Sequence, residues 1–417
     1  MSSAVPVSAS QRLETLDVVR GFALLGILAM NIRVMAGPFG AYMYPIGLFD
    51  YAGAARAAYL FTATAFDLKM MGIFSMLFGV SVLLYAAKPT VSSAALRGLW
   101  LRRMFWLLVI GLVHAYLIWN GDILVPYALC GILVLWWVRR LSAAVLFASA
   151  AVVLLVGAVL SAGHAMSWDS MSEAAQQEER LMYMPTPDQL RAEVDILRSG
   201  YADVVAYRAP LVFMFQTFVF AVFFFWRCSG MMLLGMALYK VGFLDGRLPA
   251  GAYAKAAAVC LPAGLGLAAY GAWALDQSVY VVPGRLMLDL WNYTGAILAS
   301  VGYAAALILL VKRGALAGLR RSLAAVGQMA LTNYLLQSII TAVLFLGWGA
   351  GLAGTLDYGG QLLVVLAIWI AQLLWSPVWL ARFRFGPAEW LWRSLTYWQR
   401  QPFRQGAPAL SMSGVRS

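Results

Sequence analysis

The run RRMFWLLVIGLVHAYLIWNGDILVPY, residues 102–127, holds the first side chains whose types and spacing could do chemistry. On a helix advancing about 100° per residue, Arg103 and His114 return to one face, roughly 16 Å apart. An imidazole exchanges protons near neutral pH, so His114 can serve as a general base. It is one of only two histidines; the other is His164. Asp122 follows in a tight turn, and either Asp122 or Asp67 could fix the imidazole's tautomer. A second polar set lies in LDVVRGFALLGILAMNI, residues 16–32. Asp17, Arg20, Leu24 and Asn31 share a stripe about 60° wide, with Asp17 and Asn31 roughly 21 Å apart along it. A plainer reading stands beside each. Asp17 and Arg20 pair i to i+3 and dock a neighbouring helix, and His114 bonds one helix to another.

These residues need helices to carry them, and composition says where those helices sit. Of 417 residues, 63% are hydrophobic and 12% charged, with a mean hydropathy of +0.78. That is far from soluble averages and predicts an all-α polytopic integral membrane protein. About ten stretches are long enough to span: 16–33, 68–87, 103–119, 123–138, 141–162, 211–240, 254–275, 289–312, 325–347 and 360–381. Basic clusters fall on alternate connections: Lys88, Arg97, Arg102 and Arg103; Arg139 and Arg140; Lys240, Arg247 and Lys255; Lys312, Arg313, Arg320 and Arg321; and Arg382, Arg384 and Arg393. With ten crossings, the positive-inside rule makes both termini cytoplasmic and the acidic insertion 163–209 external.

The expected organisation is a short cytoplasmic tail (1–15), a five-span bundle (16–162), the acidic loop (163–209), a second five-span bundle (210–381) and a cytoplasmic interfacial helix with a tail (382–417). The start MSSAVPVSASQRLET lacks the apolar core and cleavage site of a secretory signal, so the first apolar helix is expected to remain as an anchor. The stretch 211–240 is long for one span and reads either as a kinked helix or as an interfacial piece followed by a span. Residues 35–66 read as a re-entrant or surface helix. In GPAEWLWRSLTYW, Pro387 suits a first helical turn and the tryptophans suit the interface.

Several functions are set aside. The net charge of +12 sits at helix ends, where orientation puts it, so nucleic acid is not implied. Cys130, Cys228 and Cys260 show no paired spacing, which argues against a disulfide framework or zinc, and no metal site is expected. GAGLAG (349–354) fits a dinucleotide fingerprint but stands between membrane helices rather than between a strand and a helix.

Five motifs in order, LDVVRGFALLGILAMNI, RRMFWLLVIGLVHAYLIWNGDILVPYALCG, MMLLGMALYKVGF, VGQMALTNYLLQSII and GPAEWLWRSLTYW, resemble the YeiB-like family of bacterial inner-membrane proteins, a family of unknown function. That family is similar in turn to membrane acyltransferases, among them the lysosomal heparan glucosaminide N-acetyltransferase and bacterial sugar O-acyltransferases. The resemblance implies transfer of an acyl group from cytoplasmic acyl-CoA, as co-substrate, to a hydroxyl or amine that is extracytoplasmic or membrane-embedded. The opening Leu16, Asp17, Arg20, Gly21 and Asn31 look like the first-helix pattern of the glucosaminide enzyme, and Arg103 with His114 is similar to the arginine and histidine pair of the sugar enzymes. This chain departs in having no histidine in the first span or the loop after it, so His114 would be the base. Asn31 could then donate to the oxyanion, and Arg20, Arg102, Arg103, Arg139 and Arg140 could hold the donor's phosphates. The expected partners are the bilayer and a small or lipid-linked acceptor, and a homo-oligomer is compatible with the sequence. Two rival readings remain: a transporter or flippase for a small anionic or lipid-linked solute, and a non-catalytic scaffold.

Overall fold

A computed structural model describes residues 9–87, 92–277 and 282–405. Lys88, most of the N-terminal tail and the end of the C-terminal tail lie outside the described residues. The described residues form helices joined by loops, in the order α1 (Ala9–Met35), α2 (Phe39–Met43), α3 (Gly53–Ala65), α4 (Lys69–Ala86), α5 (Ser93–Val113), α6 (Leu124–Cys130), α7 (Trp136–Val138), α8 (Ala143–Met166), α9 (Glu173–Tyr183), α10 (Pro187–Leu197), α11 (Tyr201–Met214), α12 (Phe225–Lys240), α13 (Ala250–Gln277), α14 (Val282–Lys312), α15 (Ala317–Gln328), α16 (Ala330–Phe345), α17 (Tyr358–Leu380) and α18 (Pro387–Tyr397). Wider π-turns follow α5 at His114–Ile118, α6 at Gly131–Leu135 and α11 at Phe215–Phe224.

Eight helical stretches among the described residues are long and apolar enough to cross a bilayer, so this is a multi-pass membrane protein. The ten expected stretches resolve into those eight plus two special cases. Residues 325–347 belong to α15 and α16, a helix pair bent by 84°. Residues 123–138 form the short apolar stretch Leu124–Val138, about 22 Å long and therefore under one hydrocarbon thickness. The long segment is continuous, with Pro210 inside it and a π-helical stretch at Phe215–Phe224. Tyr201–Lys240 runs as one 40-residue helical stretch, about 60 Å, so its first part stands clear of a bilayer of about 30 Å. The acidic insertion is folded: α9 and α10 lie within it, and Thr186 and Gln189 form a reciprocal capping box that starts α10.

α1 is the central post, packed on α15, α4, α16 and α17. Two glycines make its closest contact. A Cβ on Gly21 would overlap the Leu323 carbonyl, and one on Gly327 would overlap the Asp17 carbonyl, so the backbones of α1 and α15 touch. The motifs LDVVRG and VGQMALTN thus form one joint.

Contacts gather the basic clusters at one end. Lys240 donates to the Arg139 carbonyl at 2.9 Å, Lys312 to the Gly246 carbonyl at 2.8 Å, and Arg102 to the Thr396 carbonyl at 3.4 Å. The opposite end is tied by the insertion, where Glu193 accepts from the Phe39 N–H at 2.7 Å and Arg198 donates to the Ala353 carbonyl at 2.9 Å.

Candidate functional site

His114 stands where α5 widens into its π-turn, closed by the Trp119 N–H donating to the His114 carbonyl at 2.8 Å. Such widened turns re-aim side chains and recur at functional sites. The turn that follows brings Asp122 back: one carboxylate oxygen lies 2.8 Å from His114 Nδ1, and the other accepts the Val125 N–H at 2.7 Å. Gly111 permits this fold-back, since a Cβ there would press on the Val125 nitrogen at 2.8 Å.

A carboxylate in its ionised form only accepts, so this pairing favours the tautomer with the proton on Nδ1 and a lone pair on Nε2. Ser338 Oγ, from α16, lies 2.9 Å from Nε2, within hydrogen-bond reach. The His114 and Asp122 side chains are 1% and 2% exposed, and Ser338 is buried. The Tyr334 ring lies 5.0 Å and the Trp119 ring 6.2 Å from the imidazole. Trp119 Nε1 is buried without a hydrogen-bond partner among the described residues. Hydroxyl, imidazole and carboxylate in this order can strip a proton from an oxygen nucleophile.

Of the two acids that could fix the tautomer, Asp122 does so. Asp67 instead accepts from Tyr42 at 3.2 Å and from Asn292 at 2.9 Å. Asn31 is not among the partners of His114, and α1 packs against α15 and α16 rather than α5. The face opposite His114 is supplied by α16. Ser338 escaped the sequence reading, although Asn333, Gln337, Ser338 and Thr341 form a polar stripe on an apolar helix. All four are buried, and Gln337 and Asn333 are satisfied by Gln372 and Ser376 of α17.

The five arginines separate into three places. Arg20 pairs with Asp17 at 2.8 Å, and its charge acts on both Arg103 and Arg393. Arg103, Arg393, Tyr85 and Tyr397 also interact electrostatically, so the three guanidiniums share one electrostatic neighbourhood at the Arg103 end of α5. The Arg103 guanidinium stacks 3.6 Å from the Trp392 ring, whose Nε1 donates to the Arg103 carbonyl at 2.8 Å. Arg102 lies 5.4 Å from the Trp398 ring. Arg139 and Arg140 stand apart, on Ser93. α18 is thereby clamped over the arginine mouth, and Glu389 fixes it. That carboxylate accepts the Leu331 and Thr332 N–H groups at 2.6 and 3.1 Å, capping α16 where the bent pair breaks. A groove of about 310 Å³ opens beside α18, lined by Trp106, Trp390 and Trp398 among others, but His114 does not line it. Among the described residues, no group of three or more potential metal ligands occurs.

The chain resembles known proteins over nearly its whole length. Residues 238–399 match a family model described as a protein of unknown function, DUF418. The uncharacterized protein YeiB of Escherichia coli (strain K12) is 31% identical over 412 residues, spanning 96% of this chain and 99% of its own. The chain belongs to the YeiB-like family. Another relative, the uncharacterized protein YxaH of Bacillus subtilis (strain 168), is 29% identical over 418 residues, spanning 96% and 98% of the two chains. No solved structure matches. The DUF418 model takes in α13 to α18, with Ser338 and Arg393, whereas His114 and Asp122 fall only within the full-length likeness.

Proposed function

We propose that this YeiB-like protein is a transmembrane acyltransferase of the bacterial inner membrane, moving an acyl group from a cytoplasmic acyl-CoA to a hydroxyl or amine acceptor. One observation carries the reading: a buried histidine held by Asp122 on Nδ1 with a hydroxyl on Nε2, on the same helical stretch as the arginine mouth. Arg20, Arg103 and Arg393 would take the donor's phosphates, since clustered guanidiniums suit phosphate oxygens. The thioester would lie toward His114. The acceptor hydroxyl or amine replaces Ser338 Oγ on Nε2 and gives up its proton there as it attacks the acyl carbon. The carbon–sulfur bond breaks, a carbon–oxygen or carbon–nitrogen bond forms, and the proton passes from Nε2 to the leaving thiolate. Trp119 Nε1 is a donor available to the developing oxyanion.

The test is purified protein with radiolabelled acetyl-CoA. Release of free CoA above a heat-treated control supports the enzyme. Uptake of an anionic solute into proteoliposomes, without CoA release, would favour the transporter.

A further inference from the structure

Arg227, on α12, is fully buried, yet two of its three guanidinium nitrogens have no hydrogen-bond partner among the described residues. Nη1 donates to the Tyr293 carbonyl at 2.9 Å, and the Tyr293 ring lies 4.5 Å from the guanidinium carbon. The unpartnered atoms are Nε and Nη2. They form the side-on edge of the guanidinium, the pair of parallel donors that receives both oxygens of a carboxylate or phosphate.

The surroundings favour an anion. Lys69 is buried as well, donating to the Ala63 carbonyl at 3.0 Å and to Asn292 Oδ1. Its charge and that of Asp67 act on Arg227. Through Asp67 and Tyr42 the network extends to Arg33, Arg285 and the half-exposed Asp289, and its buried charges, Arg227, Lys69, Arg33 and Arg285, are all cations. An excess of positive charge away from water is costly unless a counter-charge joins it. Arg227 lies about 20 Å along α12 from Lys240, and Lys69 about 26 Å along α4 from Ala86, which puts the network in the half of the bundle remote from the basic clusters.

We propose that the Nε/Nη2 edge of Arg227, backed by Lys69, is a binding site for an oxyanion, a carboxylate or phosphate group carried by a small solute or a lipid headgroup. Under acyl transfer it would anchor an anionic acceptor, but its test needs no acyl transfer.

The experiment measures the melting temperature of the purified full chain in phosphatidylcholine nanodiscs, titrated with inorganic phosphate or acetate against chloride at constant ionic strength. A saturable rise with either oxyanion is expected. Arg227→Lys keeps the charge but loses the paired donors, and it should weaken the apparent affinity at least tenfold. A parallel arm in phosphatidylglycerol nanodiscs without added oxyanion separates the sources: stabilisation there, lost in Arg227→Lys, assigns the site to a lipid phosphate. Parental affinity in Arg227→Lys, or no stabilisation in any arm, overturns the proposal. Should the variant not fold, a cryo-EM map of the parental protein decides. Density of oxyanion size on the Nε/Nη2 edge supports the site, and a single water or none refutes it.

Discussion

His114 Nδ1 lies 2.8 Å from Asp122 Oδ1 inside the protein, and both side chains are sealed from solvent. That spacing sets the tautomer, which decides what the other imidazole nitrogen can do. Asp122→Asn should leave the chain folded but hold the imidazole less well as a base, lowering acyl transfer by about 10²- to 10⁴-fold. Ser338→Ala separates two routes: near-parental rates mean the acceptor meets His114 directly, while an equal loss makes Ser338 a covalent acyl carrier. Both are read from CoA release alongside melting temperature.

The α1–α15 joint should be intolerant of volume. A Cβ at Gly327 would overlap the Asp17 carbonyl, and the nearest atoms are backbone rather than a flexible side chain. Gly327→Ala should cost about 1–3 kcal/mol, the usual range for overpacking, whereas Gly98→Ala, which would meet nothing within 4 Å, should cost almost nothing. Thermal unfolding in detergent distinguishes them.

How much of this was legible beforehand depended on range. The helices were, because long apolar runs between basic turns obey local rules, and so was the place of Arg103 and His114 on one helical stretch. Asp122 could be placed near His114 because a tight turn joins them. Ser338 could not, since it stands 224 positions from His114 in the chain and nothing local signals their meeting. The short stretch Leu124–Val138 and the 84° bend were likewise invisible, because hydropathy reports that a segment is apolar rather than how it lies. Arg393 joined the arginine mouth only once α18 had folded over α5.

Burial raises the Glu389 carboxyl above its ordinary value, outweighing its hydrogen bonds to Thr332 and Leu331. An acid whose folded pKa exceeds its unfolded pKa of about 4.3 stabilises the fold in its protonated form. That contribution is complete below the unfolded value and is lost as pH rises through the folded one. Melting temperature should therefore fall on going from acid toward neutral pH, and Glu389→Gln should flatten the slope. An unchanged slope would place the pH dependence elsewhere.

The gathering of basic clusters at one end predicts orientation. Reporter fusions at Arg140 and Leu248 should read cytoplasmic, and fusions near Glu178 and Thr355 external. A cytoplasmic Glu178 would invert the map and put the arginine mouth on the wrong side for acyl-CoA.

The most direct measurement is the initial rate of CoA release from acetyl-CoA by parental protein and by His114→Ala, at matched melting temperature and matched CoA affinity. A general base predicts that the variant binds CoA as the parent does and loses about 10²- to 10⁴-fold in rate. A variant that releases CoA at the parental rate, or a parent that releases none, would contradict catalysis at His114 and leave the buried histidine as a link between α5 and α16.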